Sequence, residues 1–228
     1  MQYVRKATER GKVDLGWLQS QHSFSFGHYY DPKHMGVSAL RVINQDQVQP
    51  GKGFETHGHK DMEIISYVIE GALEHTDSTG NRYIVPAGDI QLMSAGSGIM
   101  HSEFNASKVD PVRFLQIWIQ PNVRGISPGY QQQKISQQGQ LTPLITPDGR
   151  DGTLSIHQDA VVSRLILAEG DTVSLATAQR QGYLHLVAGK LSEAQHSFAA
   201  GDAFALGPNE EVTLQADEAI EALWFDLP

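Results

Sequence analysis

Apolar residues along this chain recur at every second position or in short runs, with no convincing long stretch at the three-to-four spacing of a helix. The clearest case is 113–120, where Leu115, Ile117 and Ile119 alternate with Phe114, Gln116 and Trp118. Neighbours two apart on a strand share a face, so this stretch predicts a strand with two distinct sides. His22-Ser23-Phe24-Ser25-Phe26 alternates likewise. Further strands are expected over 38–42, 54–59, 63–69, 72–76 and 82–85, and 90–93 leads into the glycine-rich approach to His101. Asn44-Gln45-Asp46-Gln47, Asp77-Ser78-Thr79-Gly80-Asn81 and Pro86-Ala87-Gly88-Asp89 read as the turns between them. His28 and His34 fall in a loop over 27–36, as surface residues or as part of a pocket mouth. A helix that places His59 and Glu63 on one face is the alternative. It is set aside, because Ile64-Ile65-Ser66-Tyr67-Val68-Ile69 is strongly strand-forming and Gly58 weakens a helix.

The pattern breaks over 121–150, where Pro121, Gly125, Pro128, Gly129 and clustered glutamines form a polar connector. Residues 141–145 are apolar enough to predict an ordered linker with a short strand or a turn of helix. Strands resume at 155–159 and 162–167. An internal echo follows: Leu186-Val187-Ala188-Gly189 parallels Val68-Ile69-Glu70-Gly71, and Ala199-Ala200-Gly201-Asp202 parallels Pro86-Ala87-Gly88-Asp89. Counting back from Gly189 sets Leu175, Thr177 and Gln181 where the first half has His57, His59 and Glu63. The second half keeps the frame without those side chains, so His157, His185 and His196 read as structural or surface residues. Short strands with frequent turns predict an all-β protein, an antiparallel barrel or sandwich.

Composition narrows the class of function. A chain of 228 residues makes one large β domain or two small ones. The net charge of −9 argues against direct nucleic-acid binding, which needs basic patches. The absence of cysteine excludes disulfides, thiolate ligands and thiol catalysis together. Met1 to Asp14 is polar and charged, and no apolar run nears the ~18 residues of a membrane span. A soluble cytoplasmic protein with no membrane partner is expected, and a monomer.

Candidate chemistry sits in two triplets, His57-Gly58-His59 and His101-Ser102-Glu103. On strands, each i, i+2 pair offers two donors to one point, and two facing strands offer four. Three imidazoles and a carboxylate suit divalent zinc, iron, manganese, nickel or copper. Glu63 is a fifth candidate, as ligand or as hydrogen-bond partner of a ligand imidazole. Ten histidines in the chain make any one of them unremarkable, but two same-face pairs flanked by glycines are not. Phe54, Met62, Gln116 and Trp118 are candidates for the mouth of the site, with ordinary core as their default role.

Gly51-x5-His57-x-His59-x3-Glu63, ending at Gly71, resembles the first cupin motif, and Gly80-x5-Pro86-x-Gly88 the start of the second. Gln91 stands where an ordinary cupin has its third histidine. The histidine comes later, in Ala95-Gly96-Ser97-Gly98-Ile99-Met100-His101-Ser102-Glu103, which is similar to the pirin branch of the cupins. Phe24-Ser25-Phe26, Tyr30-Asp31-Pro32, Met35-Gly36 and Leu40-Arg41-Val42-Ile43-Asn44 also resemble pirin sequence. The likeness is strong over about the first 120 residues and weak beyond.

The resemblance implies a bicupin of two antiparallel, jelly-roll-like β-barrels: 1–120 with the metal, a linker over 121–150, and 151–228 without ligands. It implies His57, His59, His101 and Glu103 as metal ligands, leaving Glu63 outside the shell. Fe(II) is the favoured ion; zinc, nickel, copper and manganese are alternatives. It further implies quercetin 2,3-dioxygenase activity, with a flavonol or another small aromatic enol and dioxygen as substrates and Glu103 as the catalytic base. The alternatives are a redox-responsive regulator of transcription with a protein partner, and a cupin isomerase or dioxygenase of another enol.

Overall fold

The computed structural model describes every residue except Gln2. Among these residues there is no α-helix, only two short 3-10 turns, Ala7–Glu9 and Arg150–Gly152. No helix among them is long and apolar enough to cross a membrane.

The strands in chain order are β1 (Tyr3–Arg5), β2 (Gly11–Asp14), β3 (Leu18–His22), β4 (Leu40–Val48), β5 (Gly53–His59), β6 (Glu63–Glu70), β7 (Ala72–Asp77) and β8 (Arg82–Pro86). Next come β9 (Asp89–Ser94), β10 (Ile99–Asn105), β11 (Val112–Ile119), β12 (Gly129–Lys134), β13 (Leu141–Thr146), β14 (Leu154–Ser155) and β15 (Val161–Leu167). The last are β16 (Thr172–Ala176), β17 (Gln181–Ala188), β18 (Lys190–Glu193), β19 (His196–Ala199), β20 (Ala203–Leu206), β21 (Glu211–Ala216) and β22 (Ile220–Leu227).

These strands form two compact units. The first holds 11–135 and 156–158. Its two sheets run β12-β9-β6-β11-β4-β3-β2 and β5-β10-β7-β8. The second holds 1–10, 136–155 and 159–228. Its sheets run β1-β20-β17-β22-β15-β13-β14 and β16-β21-β18-β19. All-β architecture in two jelly-roll-like units is as expected, though each remains a pair of sheets rather than one closed ladder. Only β13 and β14 pair in parallel among the described strands.

The boundaries depart from 1–120, 121–150 and 151–228. Residues 3–5 pair with 203–205, so the amino terminus belongs to the second unit. The connector is divided: β12 lies along β9 in the first unit, and β13 along β15 in the second. The glutamines at 131–133 are thus edge-strand residues, which a polar count reads as linker.

Three local expectations also change. Asn44-Gln45-Asp46-Gln47 is no turn but the middle of β4, paired on both sides. Asn44 and Asp46 are buried, and Asp46 accepts a short hydrogen bond from Ser20, so polar residues here face the interior. The strand at 22–26 stops at His22, because Ser25 turns the chain: its hydroxyl donates to the Asp31 carbonyl and accepts from the Asp31 amide. The strand at 155–159 shrinks to Leu154–Ser155.

The internal echo is structural. Gly71 and Gly189 both adopt left-handed backbone, φ 78° and 81°, after β6 and β17; Gly88 and Gly201 do so after β8 and β19, at 89° and 85°. A side chain at Gly71 or Gly189 also meets the backbone at 111–112 or at Ala219, so only glycine carries the chain from one sheet to the other here without strain.

Candidate metal centre

The inner face of the four-stranded sheet in the first unit carries the site. His57 and His59 are two apart on β5; His101 and Glu103 are two apart on β10. The antiparallel register sets His101 opposite His57 and Ile99 opposite His59. On its other side, β10 pairs with β7, with Glu103 opposite His75 and His101 opposite Asp77. A β-bulge between His101 and Glu103 shifts the β5 register there.

Donor atoms of His57, His59 and His101 lie within 4.8 Å of one another. The His101 and His57 Nε2 atoms are 3.1 Å apart. Two nitrogens bound at right angles, each at ~2.1 Å from one ion, stand about 3.0 Å apart, so the pair has the spacing of adjacent ligands. His57 Nδ1 donates to the Glu55 carbonyl at 2.7 Å, which can only accept, so Nε2 is the nitrogen that faces His101. Burial, with a smaller contribution from His57, lowers His59 to about 4. Burial, then His57 and His59, lowers His101 to about 2. Both rings are therefore neutral donors at pH 7. His101 Nδ1 is buried without a hydrogen-bond partner among the described residues. Converging neutral imidazoles with an orphaned nitrogen are suited to a divalent cation.

Glu103 is fully buried and stands deeper. Its Oε1 accepts from Ser66 at 3.0 Å and from Gln91 at 3.2 Å; its Oε2 accepts from Gln116 at 2.6 Å. Burial raises its pKa, against the opposing pull of His75, Ser66, His57 and Gln116. Its donor-distance neighbours are His101 and His75, so the four expected residues form two sets that overlap at His101. Gln91, at the position where other cupins place a histidine, is a hydrogen-bond donor to the carboxylate instead. Tyr130 OH reaches Gln91 Oε1 at 3.1 Å.

Glu63 is buried but bonds elsewhere, accepting from the Ser94 hydroxyl at 2.9 Å and pairing with His157 at 3.4 Å. It touches none of the three clustered imidazoles through these bonds. Of the expected mouth residues, Trp118 packs edge-on to His59 with centroids 5.0 Å apart, and Gln116 reaches Glu103. Met62 packs with Trp118 on Ile64, Met93, Ala95 and Ile99. Phe54 instead packs on Trp17, 5.4 Å between centroids. His34 faces Asp31 in its loop, and His28 is exposed. A cavity of about 340 Å³ reaches His59, bounded by Lys60, Ser78, Ile99 and Met100. A polar groove of about 440 Å³ near Lys12, Gln47 and Arg113 includes none of the clustered donors.

His75 and Asp77 were not singled out from the sequence. They repeat the same-face i, i+2 spacing on β7, but Asp77 reads as the first residue of a turn, which hides the pair. His75 Nε2 lies 2.9 Å from Asp77 Oδ2, and both side chains have no solvent exposure. Burial alone would raise Asp77. Bonds from Thr79, His75 and Asn81 outweigh it and hold the carboxyl well below its usual range.

The "Pirin" family model matches residues 3–119, and a "Quercetinase C-terminal cupin domain" model matches 144–227. The chain is 45% identical to the quercetin 2,3-dioxygenase of Escherichia coli K12, covering 100% of this chain and 99% of the relative. The crystal structure of YhhW from Escherichia coli superposes with a TM-score of 0.96 at 44% identity, over 99% of this chain and 97% of that one. Bacterial pirin YhhW in complex with nickel(II) gives 0.95 at 45% identity, over 99% and 98%. A quercetin 2,3-dioxygenase structure from Acinetobacter baumannii, 17% identical with a TM-score of 0.80 over 98% of this chain and 85% of that one, shares the fold. With its amino-terminal half matched by the family model and its whole length by these relatives, the chain belongs to the pirin family.

Proposed function

We propose that this protein is a metal-dependent dioxygenase that opens the heterocycle of a flavonol such as quercetin and releases carbon monoxide. The observation that carries this reading is the convergence of three imidazoles beside a buried, hydrogen-bonded carboxylate, in a chain 45% identical to a quercetin 2,3-dioxygenase. His57, His59 and His101 would hold the ion, with Glu103 reaching it through the donor set that shares His101. When bound, the ion supplies Lewis-acid stabilisation of a flavonol oxyanion and a route for electron transfer to dioxygen. Fe(II) is the favoured ion; the nickel(II) complex of the related YhhW makes Ni(II) the first alternative, ahead of zinc, copper and manganese.

The chain's own groups handle the proton and the shape. Glu103, its pKa raised by burial, accepts the proton of the flavonol 3-hydroxyl, and Ser66, Gln91 and Gln116 keep its oxygens aimed. Trp118, Met62 and Ile99 make an apolar wall beside His59 that suits a flat aromatic ring and limits water. Dioxygen adds across C2 and C4 of the substrate, and the ring carbon between them leaves as carbon monoxide.

The test is loss of the quercetin absorption band in air with metal-loaded protein. Wild type should bleach it and His101→Ala should not. Equal, unchanged bands in both would defeat the enzymatic reading. One observation favours a regulatory role: the net charge of −9 complements a basic protein surface. Recovery of a partner only with oxidised metal, from protein inert toward quercetin, would establish that role instead.

A further inference from the structure

Five buried or half-buried donors on one sheet face fall into two sets of three rather than one set of four. His57, His59 and His101 make the outer set; His75, His101 and Glu103 make the inner one. The inner set is wholly buried. Its geometry comes from the β7–β10 ladder, which puts His75 directly across from Glu103. The His75 and His101 rings are 5.3 Å apart.

His75 is prepared as a donor. The carboxylate of Asp77 only accepts, so His75 Nε2 carries the hydrogen of that bond and Nδ1 is the ring nitrogen left for another partner. Asp77 is itself fixed by the Thr79 amide at 2.9 Å, the Thr79 hydroxyl at 2.6 Å and the Asn81 amide side chain at 3.0 Å. This carboxylate–imidazole arrangement is the one that orients metal-binding histidines in general. Yet Nδ1, in a residue with no exposed surface, has no hydrogen-bond partner among the described residues. A buried ring nitrogen left unmatched costs stability, so an unused one is an anomaly.

We propose that His75 is a metal-directed residue: with His101 and Glu103 it forms an inner three-donor set, into which an ion held by His57, His59 and His101 passes. This rests on the reading of the first unit as a metal centre. Two donors are exchanged for two, His57 and His59 for His75 and Glu103, while His101 stays bound throughout. The carboxylate therefore engages the ion in the inner position and is released from it in the outer one.

Copper(II) added at one equivalent to metal-free protein tests this by electron paramagnetic resonance, with a competing chelator as a second readout. Wild type should give two signals. His75→Gln should keep only one and give up Cu(II) about 10-fold more readily. A single wild-type signal that His75→Gln shifts also supports the inner set. If His75→Gln does not fold, Asp77→Asn replaces it, since it keeps the ring and removes the acceptor that fixes its tautomer. An unchanged spectrum and an unchanged chelator midpoint in whichever variant folds overturn the inference. If wild type binds no Cu(II), the metal-centre reading fails as well; if it binds and His75 is indifferent, only the present inference falls.

Discussion

The two units share a plan and differ in what fills it. In the first, Ser66 lies across from Gln91 on one side and Gln116 on the other, and all three bond to Glu103 or to each other. In the second, Leu184 lies across from Phe204 and Trp224. The small sheets differ in the same way. His57 faces His101 in the β5–β10 ladder, while Leu175 faces Val212 in the β16–β21 ladder. Leu175, Leu184, Phe204, Val212, Leu214 and Trp224 belong to one buried apolar cluster. Gly182 shows how tightly it is filled, because a Cβ there would stand 2.1 Å from the Trp224 ring. One frame thus supports either a packed core or a polar cavity. The choice lies in the interior side chains, while the turn glycines stay the same.

The strongest way to break this comparison is to put the first unit's chemistry into the second. Trp224→Gln leaves a cavity and a buried amide without partners, and should destabilise that unit by about 3–5 kcal/mol, read by urea denaturation. Metal binding by the first unit should survive in native conditions. An unchanged urea midpoint would mean the second interior is not a packed core.

Next in size is His101→Ala. It removes the residue common to both donor sets and should weaken metal binding by about 100-fold or more, measured by chelator competition. Wild-type affinity in this variant would show that the convergence of donors is incidental. The reverse transplant, Gln91→Phe, brings the second unit's residue beside Glu103. It should cut kcat/KM on quercetin by about 10-fold or more, because the carboxylate loses a donor and is crowded. Equal turnover would deny the glutamine any part in holding Glu103.

The smallest effect is on acid stability without metal. His59 and His101 have folded pKa values of about 4 and about 2, below the ordinary 6.5. The unfolded chain therefore binds more protons between those values and 6.5, and stability falls as pH drops through that window. Glu103, raised by burial, works in the opposite sense above 4.5. Glu103→Gln should therefore steepen the acid loss in a thermal melt of the metal-free protein, and His101→Gln should flatten it. Parallel melting curves would remove the histidines from the account.

Much of this was legible in the chain because alternation and glycine turns are local signals. The two triplets carry their own geometry: i, i+2 on a strand fixes the face, so His57, His59 and His101 were recognisable before any register was known. Glu103 was legible as a fourth donor to that cluster but not as the centre of a separate polar knot. Its partners Ser66, Gln91 and Gln116 come from three strands, and only cross-strand register unites them. Asn44 and Asp46 misled for a related reason. Polar residues in a short run suggest a turn, unless the interior they face is itself polar. His75 was missed because its partner Asp77 doubles as the anchor of the turn that follows.

The first strand has a consequence for synthesis. Tyr3, Val4 and Arg5 complete a sheet by pairing with Ala205, Phe204 and Ala203, some two hundred positions downstream. On the ribosome they emerge well before their partner, which follows only after residues 11–135 have had time to fold. Throughout translation they are an unclaimed strip of β-edge, open to mispairing with other nascent chains. A bulky amino-terminal fusion should therefore lower the yield of folded protein more than the same fusion at the carboxyl end.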